Sequence, residues 1–172
     1  YRQANVSYSL VQRRDGQVVR HTLIDCGMGV VPSLLDFERS HGVHVVNEIF
    51  LTHPHFDHFA QIDWLTMNLL RNRRDDQPRP VPIYASQACW EEGPDYHFSH
   101  VKERGEFRPL EPWTTVALDD VAVTPFSVDH GPRAPGAMGF VVQHADRKIV
   151  LTSDFLRVVE EDHPLLSRPD VC

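Results

Sequence analysis

At 172 residues with 41% hydrophobic side chains, the chain has material for one domain with a sizeable core. No apolar run reaches the roughly eighteen residues of a membrane-spanning helix, and a formal charge of -7 argues against a surface devoted to polyanions, although bound divalent cations would offset several of those charges. Three scattered cysteines, Cys26, Cys89 and Cys172, form no C-x-x-C pair; they signal neither a disulfide framework nor a zinc knuckle and fit a reducing, cytoplasmic setting.

The opening Tyr1-Arg2-Gln3 carries neither an initiator Met nor a signal-peptide pattern, so residues 1–172 are expected to be a single domain cut from something longer. Val6 to Arg13 and Gln17 to Ile24 read as two strands flanking Asp15-Gly16, a strong hairpin signal. The second run ends at Asp25, which either orients a ligand histidine or caps the following turn. Pro32 to His41 has a helical pattern with Gly42 as its stop.

Val43 to Thr52 reads as a buried strand that delivers His53-Pro54-His55-Phe56-Asp57-His58. Four side chains able to bind a metal fall within six positions. Alternation along an extended segment sends His53 and His55 to one side. Asp57 and His58 arrive where the chain turns into a helix. Imidazole nitrogen and carboxylate oxygen are what zinc and its neighbours accept; the plainer reading is of solvated histidines capping a helix.

From His58 to Leu70 the apolar positions Phe59, Ile62, Leu65, Leu69 and Leu70 recur at helical spacing and are expected to be core. Arg71 to Pro80 is a polar connection whose four arginines read as a solvated loop, or as a contact for phosphate. Val81 to Ala85 is a strand and Ser86 to Glu92 a helical turn. Gly93 to Gly105 shows no clear period and is expected to be an irregular insertion carrying His97 and His100. Further strands follow at Phe107 to Leu110, Thr114 to Leu118, Val121 to Val128, Ala137 to His144 and Lys148 to Thr152. The run to Val128 ends at His130 and the last at Asp154, so several strand ends each deliver a His or Asp.

In these residues the chain resembles the metallo-β-lactamase superfamily. The signature H-x-H-x-D-H is present as His53, His55, Asp57 and His58; Asp25, His130 and Asp154 match the superfamily's strand-end aspartate, third-motif histidine and fourth-motif aspartate. The resemblance implies an α/β fold, an αβ/βα four-layer sandwich of two mixed sheets. It also implies a missing C-terminal part, because the superfamily's last metal histidine follows by a helix and a strand, and His163 comes too soon. By the same resemblance His53, His55 and His130 would hold one metal, Asp57 and His58 a second, and Asp154 would bridge them. Asp25 would orient a ligand without touching metal, and Asp57 would be catalytic, orienting the nucleophile and accepting a proton. Two divalent ions are implied, zinc foremost, with manganese or iron as alternatives.

The stretches after His130 and before Asp154 resemble the phosphodiesterase group, which includes RNase Z-like enzymes and cyclic-phosphate phosphodiesterases of carbon–phosphorus lyase pathways; Phe107-Arg108-Pro109-Leu110 leading into Val123-Thr124-Pro125-Phe126 resembles the second of these more closely. RNase Z-like sequences usually carry glycine where this chain has Gln61 or Ile62. The expected function is a dinuclear phosphodiesterase acting on a small or cyclic phosphodiester through a metal-bridging hydroxide. The alternatives are an RNase Z-type nuclease, a lactonase or thioesterase on the same site, or a metal-binding module without turnover. A small-molecule phosphodiester is the expected partner, ahead of nucleic acid, with no membrane and with a homodimer left open.

Overall fold

The computed structural model describes residues 7–42, 46–72, 80–93, 95–167 and 169–170. Among the described residues ten strands form two sheets. The first runs β1 (Tyr8–Arg14), β2 (Gln17–Ile24), β3 (Glu48–Phe50), β4 (Val81–Ala85) and β5 (Gly105–Pro109), in that spatial order. β1 and β2 are the antiparallel hairpin, turning at Asp15 and Gly16 with φ of 51° and 78°, the paired positive values that a two-residue turn requires. The other three pairings are parallel. Parallel neighbours need crossovers, and these carry α1 (Val30–His41), α2 (Phe56–Phe59) with α3 (Ile62–Asn72), and α4 (Gln87–Glu92) with α5 (Asp95–Arg104). No helix among the described residues is long and apolar enough to cross a membrane.

The second sheet orders β10 (Arg157–Val158), β7 (Val121–Asp129), β8 (Met138–His144) and β9 (Arg147–Leu151), with β6 (Val116–Leu118) also on β7. Every pairing described there is antiparallel, so only the first of the two sheets is mixed. The cause is local: tight turns at Asp119 and Ala145, both with positive φ, return the chain without a crossover helix.

Side-chain alternation divides the core. Leu23, Ile49, Leu51 and Ile83 face the helices, where Phe59, Ile62, Leu65 and Val101 meet them. Ile24 and Phe50 face the second sheet and pack on Phe140, Val123 and Leu118. Phe50 stacks on Tyr84 and meets Phe140 edge-on, at centroid distances of 4.4 and 5.6 Å. The outer face of the second sheet, with Phe126, Val141 and Val150, is capped by Trp113, Leu165 and Leu166. Among the described residues a 3₁₀ turn at Pro164–Leu166, rather than an α-helix, covers that face.

Three stretches differ from expectation. The helix expected from His58 to Leu70 begins at Phe56 and breaks at Ala60 and Gln61. Gln61 is diverted to the loop after β2: its Oε1 accepts from the N–H groups of Gly29 and Val31, and its own N–H reaches Cys26 O at 2.9 Å. Gly93 to Gly105 is mostly the helix α5. Asp63 of α3 accepts from the N–H groups of His100 and Val101 through one oxygen, a tertiary tie that no hydrophobic period announces. Finally, β10 had no sequence signal. The arginines at 73, 74 and 79, and residues 43–45 of the expected third strand, lie outside the described residues, as do the side chains of Arg71, Leu69, Leu70 and His97.

Phe59 is 1% exposed between the sheet and the helices. Phe59→Ala is expected to lower unfolding free energy by about 3–5 kcal/mol in a denaturant titration; a loss under about 1 kcal/mol would contradict this packing.

Candidate metal centre

The carboxyl ends of β2, β3, β7 and β9 meet at one edge of the sandwich. Asp25 follows β2, His53 to His58 follow β3, His130 follows β7 and Asp154 follows β9. Three imidazole nitrogens converge there: His53 Nε2 and His130 Nε2 each lie 3.1 Å from His55 Nδ1. Nitrogens held tetrahedrally about 2.05 Å from one zinc ion would stand about 3.3 Å apart, so the spacing suits a common cation. His53, His58 and Asp154 form a second grouping whose donor atoms also lie within 4.8 Å of one another. His58 Nε2 is 3.7 Å from both Asp57 Oδ2 and Asp154 Oδ2. It is buried and has no hydrogen-bond partner among the described atoms. An orphaned buried nitrogen is costly, and a cation between it and the two carboxylates would satisfy it.

The surrounding network fixes which ring nitrogens are bare. Asp25 is fully buried. Its Oδ1 accepts from Thr52 N at 2.8 Å, and its Oδ2 stands 2.8 Å from Thr52 Oγ1 and 2.7 Å from His58 Nδ1. A carboxylate only accepts, so His58 carries its proton on Nδ1 and presents Nε2 bare. His53 Nδ1 lies 2.9 Å from Thr52 Oγ1, whose proton goes to Asp25, so His53 also donates through Nδ1 and presents Nε2. Such outer hydrogen bonds orient metal-binding imidazoles.

Electrostatics favour the same state at His53, while Asp25 and His58 share their proton more closely. Burial, and then the neighbouring rings of His58, His55 and His130, push His53 down to about 3, so it is neutral near pH 7. Burial pushes Asp25 above the usual carboxylate range against the pull of His58 and Thr52. Burial also lowers His58, but the hydrogen bond and charge of Asp25, with Asp57 and Asp154, outweigh it and raise the group. Burial likewise pushes the thiols of Cys26 and Cys89 well up, which makes them inert.

The structure thus brings His53, His55, Asp57, His58, His130 and Asp154 to one place, with Asp25 behind them. His163 is elsewhere: its ring stacks on Trp113 with centroids 3.6 Å apart, and its Nδ1 accepts from Leu165 N. His100 sits on α5, 4.0 Å from Glu103. Sequence reasoning missed Thr52 and Ser153, whose Oγ lies 3.1 Å from Thr52 Oγ1. The available signal was a hydroxyl residue closing an apolar run just before the first histidine.

A model of the Beta-lactamase superfamily domain matches residues 20–172. The ribonuclease Z of Thermococcus kodakarensis is 29% identical over 180 aligned positions, covering 97% of this chain and 50% of that protein. Human tRNase Z, short form, superposes with a TM-score of 0.61 at 21% identity, over 90% of this chain and 65% of that one. A diphosphatase from the PhnP family superposes with a TM-score of 0.56 at 21% identity, over 82% of this chain and 49% of that one. The chain spans about half the length of the curated relatives it matches.

Proposed function

The chain belongs to the beta-lactamase superfamily, and on that premise we propose that it is a metal-dependent phosphodiesterase acting on nucleic acid. The observation that carries this reading is the donor set: nitrogens of His53 and His130 each 3.1 Å from His55 Nδ1, beside a buried nitrogen of His58 facing two carboxylates. His53, His55 and His130 would hold one cation; His58, Asp57 and Asp154 would hold a second, with Asp154 placed to share. Zinc fits best, because imidazoles predominate.

Two such cations would supply Lewis acidity at the phosphoryl oxygen and make a nearby water more acidic. The chain's own residues do the rest. Asp25 and Thr52 hold both imidazoles through Nδ1, so that each Nε2 is aimed inward. Asp57, about half exposed at the start of α2, can take a proton on its carboxylate and pass it to solvent.

The preference for a small phosphodiester rests on net charge and on the resemblance around Phe107 and Val123, and it yields to the relatives. The ribonuclease Z of T. kodakarensis matches nearly the whole chain, while bound cations would neutralise much of the acidity that spoke against RNA. The test is a substrate panel with zinc- or manganese-loaded protein. Hydrolysis of bis(p-nitrophenyl) phosphate and cutting of a 3′-extended tRNA are expected. Turnover of lactones or thioesters with both phosphodiesters inert would sink the proposal.

A further inference from the structure

Ser153, in the turn after β9, reaches from the second sheet to the first through its contact with Thr52. Thr52 Oγ1 has three close polar neighbours: Asp25 Oδ2 at 2.8 Å, His53 Nδ1 at 2.9 Å and Ser153 Oγ at 3.1 Å. A hydroxyl has one proton and two lone pairs. The proton is committed to the carboxylate, so both lone pairs are left to accept, one from His53 Nδ1–H and one from Ser153 Oγ–H. His58 Nδ1, at 3.4 Å, is already engaged by Asp25 Oδ2 at 2.7 Å. Ser153 therefore completes the coordination of a hydroxyl that is 1% exposed at the residue level.

The backbone adds a second observation. Ser153 holds a φ of 57°, a left-handed conformation that disfavours any residue with a Cβ. Glycine would sit there without strain but could not donate. Strain retained beside a site points to a use for the side chain.

Resting on the metal reading above, we propose that Ser153 is a positioning residue for the second cation: its hydroxyl latches the Asp154 turn onto Thr52 and so holds Asp154 Oδ2 opposite His58 Nε2. The three imidazoles of the first grouping lie on two other loops, and His53 has its own hydrogen bond to Thr52 Oγ1, on a lone pair other than the one Ser153 takes.

The experiment titrates the whole chain with zinc and with cobalt against a competing chelator, reading two stepwise constants and the visible cobalt spectrum. Ser153→Ala removes the hydroxyl; Ser153→Gly removes it and also relieves the backbone. In both variants the second constant should fall tenfold or more, as for other outer-shell partners of metal ligands. The first constant should stay within threefold, and the spectral change at the second cobalt equivalent should be lost. Thr52→Ser, which keeps the hydroxyl, should retain both constants. A second constant within threefold of the parent in both Ser153 variants overturns the proposal, as does an equal fall in both constants. A parent chain that takes up neither metal removes the metal reading and this proposal together, a result distinct from the other two.

Discussion

His53→Ala is expected to abolish zinc at the first cation position. His53 Nε2 stands with His55 and His130 in the first donor grouping, and a single bare nitrogen serves one cation. Loss of an outer partner of a ligand costs 10–100-fold in metal affinity, so loss of the ligand itself should exceed about 100-fold at that position. Hydrolysis of bis(p-nitrophenyl) phosphate should fall with it. Zinc per chain measured after dialysis decides the matter, with His163→Ala as the control, because that ring lies against Trp113. Two equivalents retained by the His53 variant would contradict its role as a ligand.

Asp25→Ala should act on the fold rather than only on the metal. The side chain is fully buried and takes hydrogen bonds from Thr52 N, Thr52 Oγ1 and His58 Nδ1. Its removal leaves three donors buried and unanswered, and breaking a buried pair by deleting one partner typically costs about 3–5 kcal/mol. Asp25 also holds a φ of 62°, a conformation alanine tolerates poorly. Urea unfolding of the metal-free protein would register the change, and a loss below about 1 kcal/mol would show that water reaches these groups.

The central cluster was legible because four donor side chains crowd into six positions behind an apolar run, a local pattern that needs no tertiary knowledge. His130 and Asp154 were legible only as residues following strands, and the resemblance singled them out. The hairpin at Asp15-Gly16 and the stop at Gly42 were equally plain, since positive φ values of 51°, 78° and 81° select their residues. What escaped was tertiary. Gln61 breaks a helix to serve another loop, and Asp63 organises α5 from outside it. Glu48, 2% exposed in a strand read as apolar, survives because Arg20 grips it with two nitrogens at 3.0 and 2.9 Å and Thr22 donates to it. None of these pairings is visible from spacing along the chain.

That grip on Glu48 also spans the sandwich. Arg20 extends a third nitrogen, at 2.8 Å, to Asp119 at the head of β7, and Gln12 Nε2 donates to Leu118 O nearby. Glu48 opens β3 and Asp119 precedes β7, whereas His53 and His130 follow those same strands. The two sheets are thus riveted at the rim opposite the imidazoles. Loops on the free rim can be lengthened, shortened or exchanged without disturbing the rivet, so new specificities are open to this architecture through insertions at one edge while the other remains untouched.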